Sequence, residues 1–356
     1  MKKVQQLDFS DQILYAGIDV HLKSWKVCIL TEQFEHSVFS MPPDPKQLSN
    51  YLKKHFPNGN YQAAYESGFS GFWAQKQLQS HGVSCIVANA ADIPTNDKDR
   101  RHKTDRNDCR KIAVALRAIQ LRPIFVPDDN ALCDRTLIRH RSQIVKDITR
   151  VKNRIKSILY FIGIPIPVQF QYNRWSGAFL DWLSRHKDME GALRTTIDSH
   201  LDQLSNLRTQ QAQMHKQLRE MAKDPKYKNN VRLLMTIPGI GLISAMIWIV
   251  ELIDIKRFTR FDNLCGYVGL VPGEHSSGEK HYHTGLDNRG NNILRTLLIE
   301  NTWIAVRKDP ALIQAYYRLS KRMSKNKAII RIARKVLNRI RFVLANQKEY
   351  QISIAN

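Results

Sequence analysis

Near Pro127 the hydrophobic pattern of this chain changes period, and that change constrains the fold more than any other feature. Before it, apolar residues come in short runs separated by turn signals. Ile13 to Val20 is an apolar run with Asp19 near its end, and Trp25 to Leu30 is a second. Phe34 to Phe39 alternates weakly, and the HLKS and TEQ segments between these runs are short enough for hairpins. Pro42 to Pro45 then breaks the chain before a short helix carrying Leu48, Tyr51 and Leu52. Tyr61 to Tyr65 reads as a strand, Phe72 to Leu78 as a helix, Val83 to Val87 as a strand, and a helix opens over Cys109 to Arg117. Hairpins followed by alternating helix and strand predict an α/β domain over residues 1–126.

After Pro127 the period lengthens. Leu137, Ile144, Ile148, Val151, Ile155 and Ile158 mark one narrow apolar seam. Leu193, Ile197, Leu201, Leu204, Leu207, Met214, Leu218 and Met221 mark another, and Gly163-Ile-Pro-Ile-Pro stands between them. Such seams predict paired long helices or a coiled coil over residues 127–228. A third region, residues 229–356, has an IPGIG turn, an apolar helix, a polar Gly-rich segment from Gly266 to Asn292 read as a loop, and basic helices.

Charge narrows the partner. The chain has 356 residues with 55 Lys and Arg against 32 Asp and Glu, a formal net charge of +23. An apolar fraction of 43% is too high for a disordered basic tail, so the excess belongs to folded surface. Such a surface calls for a polyanion, because neutralised phosphates release counterions. The longest charge-free stretch, Leu233 to Val250, is interrupted by Pro238, Gly239 and Gly241, which predicts a buried core helix behind a turn, not a membrane span. No apolar signal segment follows the N-terminal lysines, and Cys28, Cys85, Cys109, Cys133 and Cys265 are scattered singly. Both features suit a reducing compartment. Arg139, Arg141, Lys146, Arg150, Lys152, Arg154 and Lys156 flank the first long helix, with Asp147 the one acid among them, which predicts a nucleic-acid-facing surface. Between Arg289 and Glu349 there are 15 Lys and Arg against three acids.

Four acids could carry chemistry. Asp19 and Glu66 end apolar strands, where an unpartnered carboxylate is costly to bury. Asp105 and Asp108 lie three apart at a helix start, on one face. Singly, each is as well explained by capping or solvation. Together they form a hard-oxygen set suited to Mg²⁺ and to phosphodiester chemistry. In Ile237 to Gly241, Pro238, Gly239 and Gly241 resemble a helix-hairpin-helix turn whose backbone N–H groups can approach a phosphate, although a plain Pro-Gly turn fits equally well. Ser277, set in a polar segment with Lys280, Arg289 and Arg295, could be a solvated hydroxyl or a nucleophile whose developing charge the cations offset. His275, His281 and His283 have no metal-ligand spacing with Cys265 and read as polar loop residues, with His275 a candidate for proton transfer.

In order and spacing, GIDVH around Asp19, YESG around Glu66, KTDRND with Asp105 and Asp108, IPGIG, and GLVP…SSG…TG…NRGN…LR together resemble the DEDD transposases of insertion sequence 110 elements, which include the Piv invertase. The resemblance covers nearly the whole chain. It implies a RuvC-like, RNase H-type first domain whose Asp19, Glu66, Asp105 and Asp108 hold Mg²⁺, a helical oligomerisation linker, and a C-terminal transposase domain with Ser277 as nucleophile. It further implies a tetramer in which the acids of one subunit complete a site with the serine of another. Also implied are strand exchange through a covalent phosphoserine, a structured bridge RNA that selects target and donor DNA, and work in the bacterial cytoplasm beside the nucleoid. Cys109 stands where these relatives usually have alanine. Two other readings remain: a RuvC-like nuclease using water and metal without serine chemistry, and a non-catalytic nucleic-acid-binding protein. The last leaves the four acids unexplained, since carboxylates repel a phosphate backbone unless metal intervenes.

Overall fold

The apolar run Ile13–Val20 becomes β1, the central strand of a five-stranded sheet in the order β3-β2-β1-β4-β5. The structure is a computed structural model and describes residues 8–94, 105–171, 175–277, 280–286 and 289–352. β2 (Trp25–Leu30) and β3 (Glu35–Met41) extend the sheet on one side as antiparallel hairpins, with Ala16 opposite Ile29 and Cys28 opposite Val38. β4 (Asn60–Glu66) and β5 (Ser84–Ala88) extend it on the other side in parallel, with Ile18 beside Tyr65 and Tyr65 beside Val87. The connections into these parallel strands need length, and α1 (Pro45–His55) and α2 (Trp73–Ser80) supply it. Asp44 caps α1 by accepting from the Lys46 and Gln47 amides, with Pro45 opening the helix.

Alternation along the strands sorts the side chains to two faces. Leu14, Ala16, Ile18, Val27, Ile29, Ala63 and Tyr65 pack with Leu48, Leu52 and Leu78 of α1 and α2. Tyr15, Cys28, Leu30, Ala64 and Ala88 face the other way, onto Cys109, Ile112, Ala113 and Leu116 of α3 (Asp105–Arg117). This helix begins at Asp105, so Asp105 and Asp108 stand at a helix start as expected, one turn ahead of the apolar stripe that opens at Cys109.

Gly17 fixes how closely α3 sits. A Cβ built there would lie 2.1 Å from the Cys109 carbonyl oxygen and 2.4 Å from the Ala113 nitrogen, both backbone atoms that cannot turn aside. Gly17→Ala is therefore expected to push α3 off β1 and to destabilise this unit by about 2 kcal/mol or more. A urea-denaturation midpoint equal to wild type would contradict that packing.

Residues 128–356 form a second compact unit. Asp128 caps α4 (Asp129–Ile162) through the Ala131 amide, and Gly163 ends the helix in a left-handed conformation at φ 80°. After α5 (Gly177–Arg185), the chain turns into α6 (Gly191–Met221). The predicted seams meet within the chain: Ile144, Ile148, Val151, Ile155 and Leu159 of α4 bury against Ile197 and Leu204 of α6, with Phe179 and Leu183 of α5 closing the layer. Ile138 and Leu159 take the most buried places where Leu137 and Ile158 were expected, a one-residue rotation at each end of a long stripe.

A second core in this unit gathers α7 (Pro225–Met235), α8 (Leu242–Leu252), α9 (Phe261–Val268), α10 (Asn292–Lys308), α11 (Pro310–Ser320) and α12 (Lys325–Asn346). α8 is buried from Ala245 to Leu252, as the charge-free stretch predicts. Among the described residues no helix is long and apolar enough to cross a membrane. The polar segment before α10 is not the irregular loop expected. β6 (Pro272–Ser277) and β7 (Lys280–Leu286) pair antiparallel as a hairpin. Its Glu, His, Ser, Lys and Thr residues lack the apolar alternation by which a strand is recognised, so the ladder rests on the backbone.

Candidate active site

Asp19 and Glu66 come together because of sheet register. Each stands one residue beyond the paired Ile18 and Tyr65, at the ends of neighbouring parallel strands. Asp19 follows Gly17 by two, and Glu66 follows Ala64 by two, so both side chains belong to the face that α3 covers. Helix direction brings in the other two acids. Gly17 meets Cys109 and Ala113, while Arg117 donates to the Thr31 carbonyl beside the far end of β1. α3 therefore runs antiparallel to β1, and its first turn, with Asp105 and Asp108, lies toward the Asp19 end. The Asp105 side chain is outside the described residues.

Asp19 and Asp108 each have a side-chain partner that sequence reasoning passed over. His21 Nε2 lies 3.0 Å from Asp19 Oδ2, and Lys111 Nζ donates to Asp108 Oδ1 at 3.3 Å. Both were within reach of the pattern: His21 is two residues along from Asp19, and Lys111 is one helical turn from Asp108. Glu66 is exposed. Cys109 is fully buried and its thiol is pushed up to about 11, by burial first and then by Asp19, so it stays a neutral packing group. The donor set is carboxylate oxygen throughout, which matches a hard divalent cation. Among the described residues no three such groups already stand together as a ligand cluster.

Ser277 is the last residue of β6, paired with Lys280 at the tip of the hairpin. The side chains of both lie outside the described residues. The hairpin leads into the NRGN segment, where Gly290 packs so tightly on Gly269 that a Cβ would sit 2.3 Å from it. Asn291 caps α10 through the Ile293 and Leu294 amides, Arg295 donates to the Gly269 carbonyl at 3.5 Å and to Asn292 at 3.2 Å, and Arg289 is exposed. IPGIG joins α7 to α8. Gly239 has φ 92° and a Cβ there would lie 2.4 Å from the Asn301 carbonyl, so packing on α10 already demands glycine. Pro238 is half-buried, and Gly241, at the N-cap of α8, faces open space.

Arg139, on the cationic flank of the first long helix, is 55% exposed and at the same time paired. It donates to Glu251 at 3.1 and 3.3 Å, and Glu251 is fully buried on α8. Arg135 approaches the same carboxylate at 3.8 Å, and Asn291 Nδ2 donates to it at 3.0 Å. The partner lies over a hundred residues away, so counting acids along one helix missed it. Arg141 donates to His215. Arg150, 66% exposed, pairs with Asp147 at 2.6 Å, and Arg154 is exposed. Burial first, and then Arg208 and Lys156 nearby, hold the Lys152 ammonium below its usual range.

Glu251 ties α4, α8 and the cap of α10 into one buried network. Glu251→Ala leaves Arg135 buried without its counter-charge, so a loss of about 3–5 kcal/mol is expected. Chemical denaturation measures it, and Glu251→Gln, which can still accept from Asn291, should cost less.

The first unit thus ends two neighbouring strands in carboxylates, and the second is helical and carries exposed cations. Residues 16–164 match the family model described as the transposase DEDD_Tnp_IS110, and residues 231–318 match the transposase IS116/IS110/IS902 family. The y4qE protein of Sinorhizobium fredii is 30% identical over 67% of this chain, a match that takes in 57% of that relative's length. The transposase for insertion sequence element IS1111A of Coxiella burnetii is 26% identical over 71% of this chain and 69% of its own. The pilin gene-inverting protein of Moraxella lacunata is 22% identical over 91% of this chain and 93% of its own. Both matched models describe transposases of the IS110 type, one over the first part of the chain and one over the last.

Proposed function

We propose that the protein is the DNA recombinase of an insertion sequence, cutting and rejoining phosphodiesters through a covalent phosphoserine. The observation that carries this reading is the placement of Asp19 and Glu66 at adjacent strand ends, beneath the helix that Asp105 and Asp108 begin. A mixed sheet of this order with acids at that end is read as a RuvC-like domain. Asp19, Glu66, Asp105 and Asp108 would hold Mg²⁺, whose charge, when bound, offsets that of phosphate oxygens.

Ser277 Oγ attacks phosphorus; the bond from phosphorus to the leaving sugar oxygen breaks, and that oxygen takes up a proton as the serine hydroxyl loses one. Attack by a different sugar hydroxyl reverses the step and returns the serine. Bond energy is conserved in the phosphoserine, so rejoining needs no ATP. Lys280, Arg289 and Arg295 offset charge around the serine hairpin, while Pro238, Gly239, Gly241, Arg150 and Arg154 belong to the nucleic-acid-binding surface. Partners in this reading are target DNA, donor DNA and a structured guide RNA, bound by a tetramer. A covalent protein–DNA adduct, trapped on denaturing gels when the purified protein meets element-end DNA and its co-purified RNA, is the expected result. Free cut ends with no adduct would instead favour a metal-dependent nuclease.

A further inference from the structure

α10 and α11 enclose an aromatic groove of about 540 Å³ that the reading above does not use, lined by Trp303, Val306, Arg307, Ile313, Tyr316 and Tyr317. Trp303 and Tyr317 keep 38% and 63% of their surfaces exposed, a large outlay of aromatic area on a protein surface. Trp303 and Tyr316 meet edge-on with ring centres 5.7 Å apart, which fixes the floor. Arg307 is tethered beside it, its Nε donating to the Trp303 carbonyl at 3.1 Å.

The charge around the groove has one sign. From Asn301 to Lys348 the sequence contains thirteen Lys and Arg and a single acid, Asp309. That acid is fully buried, accepting from Arg339 at 2.8 Å and from the Tyr350 hydroxyl at 2.7 Å, so it offsets nothing at the surface. Arg307 lines the groove, and Arg318 on α11 with Lys321 and Arg322 just after it are likewise exposed. A second copy of this chain would bring the same cations face to face and be repelled. Duplex DNA suits the cations but not the rings, because its bases are already stacked on one another. A strand with unpaired bases suits both: each base has a face to stack on an aromatic ring, and its phosphates meet arginine.

We propose that this groove binds an unpaired stretch of RNA, stacking a base on Trp303 and Tyr317 while Arg307 and Arg318 hold the flanking phosphates. The proposal rests on the guide-RNA reading of the same protein and assigns one place where that RNA is gripped.

The test measures binding of a short labelled oligouridylate, the matching oligodeoxyuridylate and a blunt DNA duplex to the full-length protein at one fixed salt concentration. Trp303→Ala with Tyr317→Ala should weaken the single-stranded RNA about 10-fold or more and leave the duplex within twofold. Trp303→Phe, which keeps a ring, should restore most of the loss. RNA binding unchanged in the double variant overturns the groove. An equal loss for duplex DNA, or an altered oligomeric state by light scattering, overturns it too, since the rings would then serve folding or a self-interface. If wild type binds none of the RNA while still forming the DNA adduct, the guide-RNA reading fails instead of the groove alone.

Discussion

Ser277→Ala is expected to abolish both the covalent adduct and strand exchange while leaving DNA and RNA binding within twofold of wild type. The substitution removes one oxygen from the end of β6, where Ser277 pairs with Lys280 through the backbone, and alanine makes the same ladder. The binding surface is spread over cations elsewhere, so affinity has no reason to fall with it. Without a hydroxyl there is no phosphoserine, and the energy of the broken bond has nowhere to be kept. A variant that still cuts with water would make the carboxylates sufficient for hydrolysis and return the protein to the metal-nuclease reading. An adduct that survives in Ser277→Ala and vanishes in Ser276→Ala would move the nucleophile by one residue. Denaturing gels on both variants separate these results.

Legibility in the sequence tracked apolar periodicity. The first five strands lie where apolar runs and turn signals place them, to within two residues at each end, because a sheet covered on both faces needs side chains that show their period. The two long helices were legible for the same reason, each burying a narrow stripe. The serine hairpin was not, since its strands carry polar residues and its pairing comes from backbone groups that every sequence has. The nearness of Asp19 to Glu66 was only half legible. Both strand ends could be read, but parallel register between strands separated by two other strands and a helix is a tertiary fact. Arg139 shows a related gap: its exposure was legible from its place on one helix, but the acid that pairs with it comes from another.

Asp19→Asn should lower adduct formation and strand exchange by about 10³-fold, which corresponds to roughly 4 kcal/mol of barrier. The amide has the shape of the carboxylate, and Gly17, two residues away, still admits α3, so the sheet and helix should stay as they are. What changes is charge: one of the four acids at this end of the sheet no longer repels the others or attracts a cation. Two consequences follow with opposite signs. In metal-free buffer the variant should melt at or slightly above the wild-type temperature, because like-charge repulsion is relieved. In millimolar Mg²⁺ the wild type should gain stability by mass action on the folded state, and the variant should gain less. Thermal melts with and without the ion test this apart from catalysis. A variant that recombines like wild type, or melts with an undiminished Mg²⁺ shift, would remove Asp19 from the metal set and leave its contact with His21 as a structural pair at a strand end.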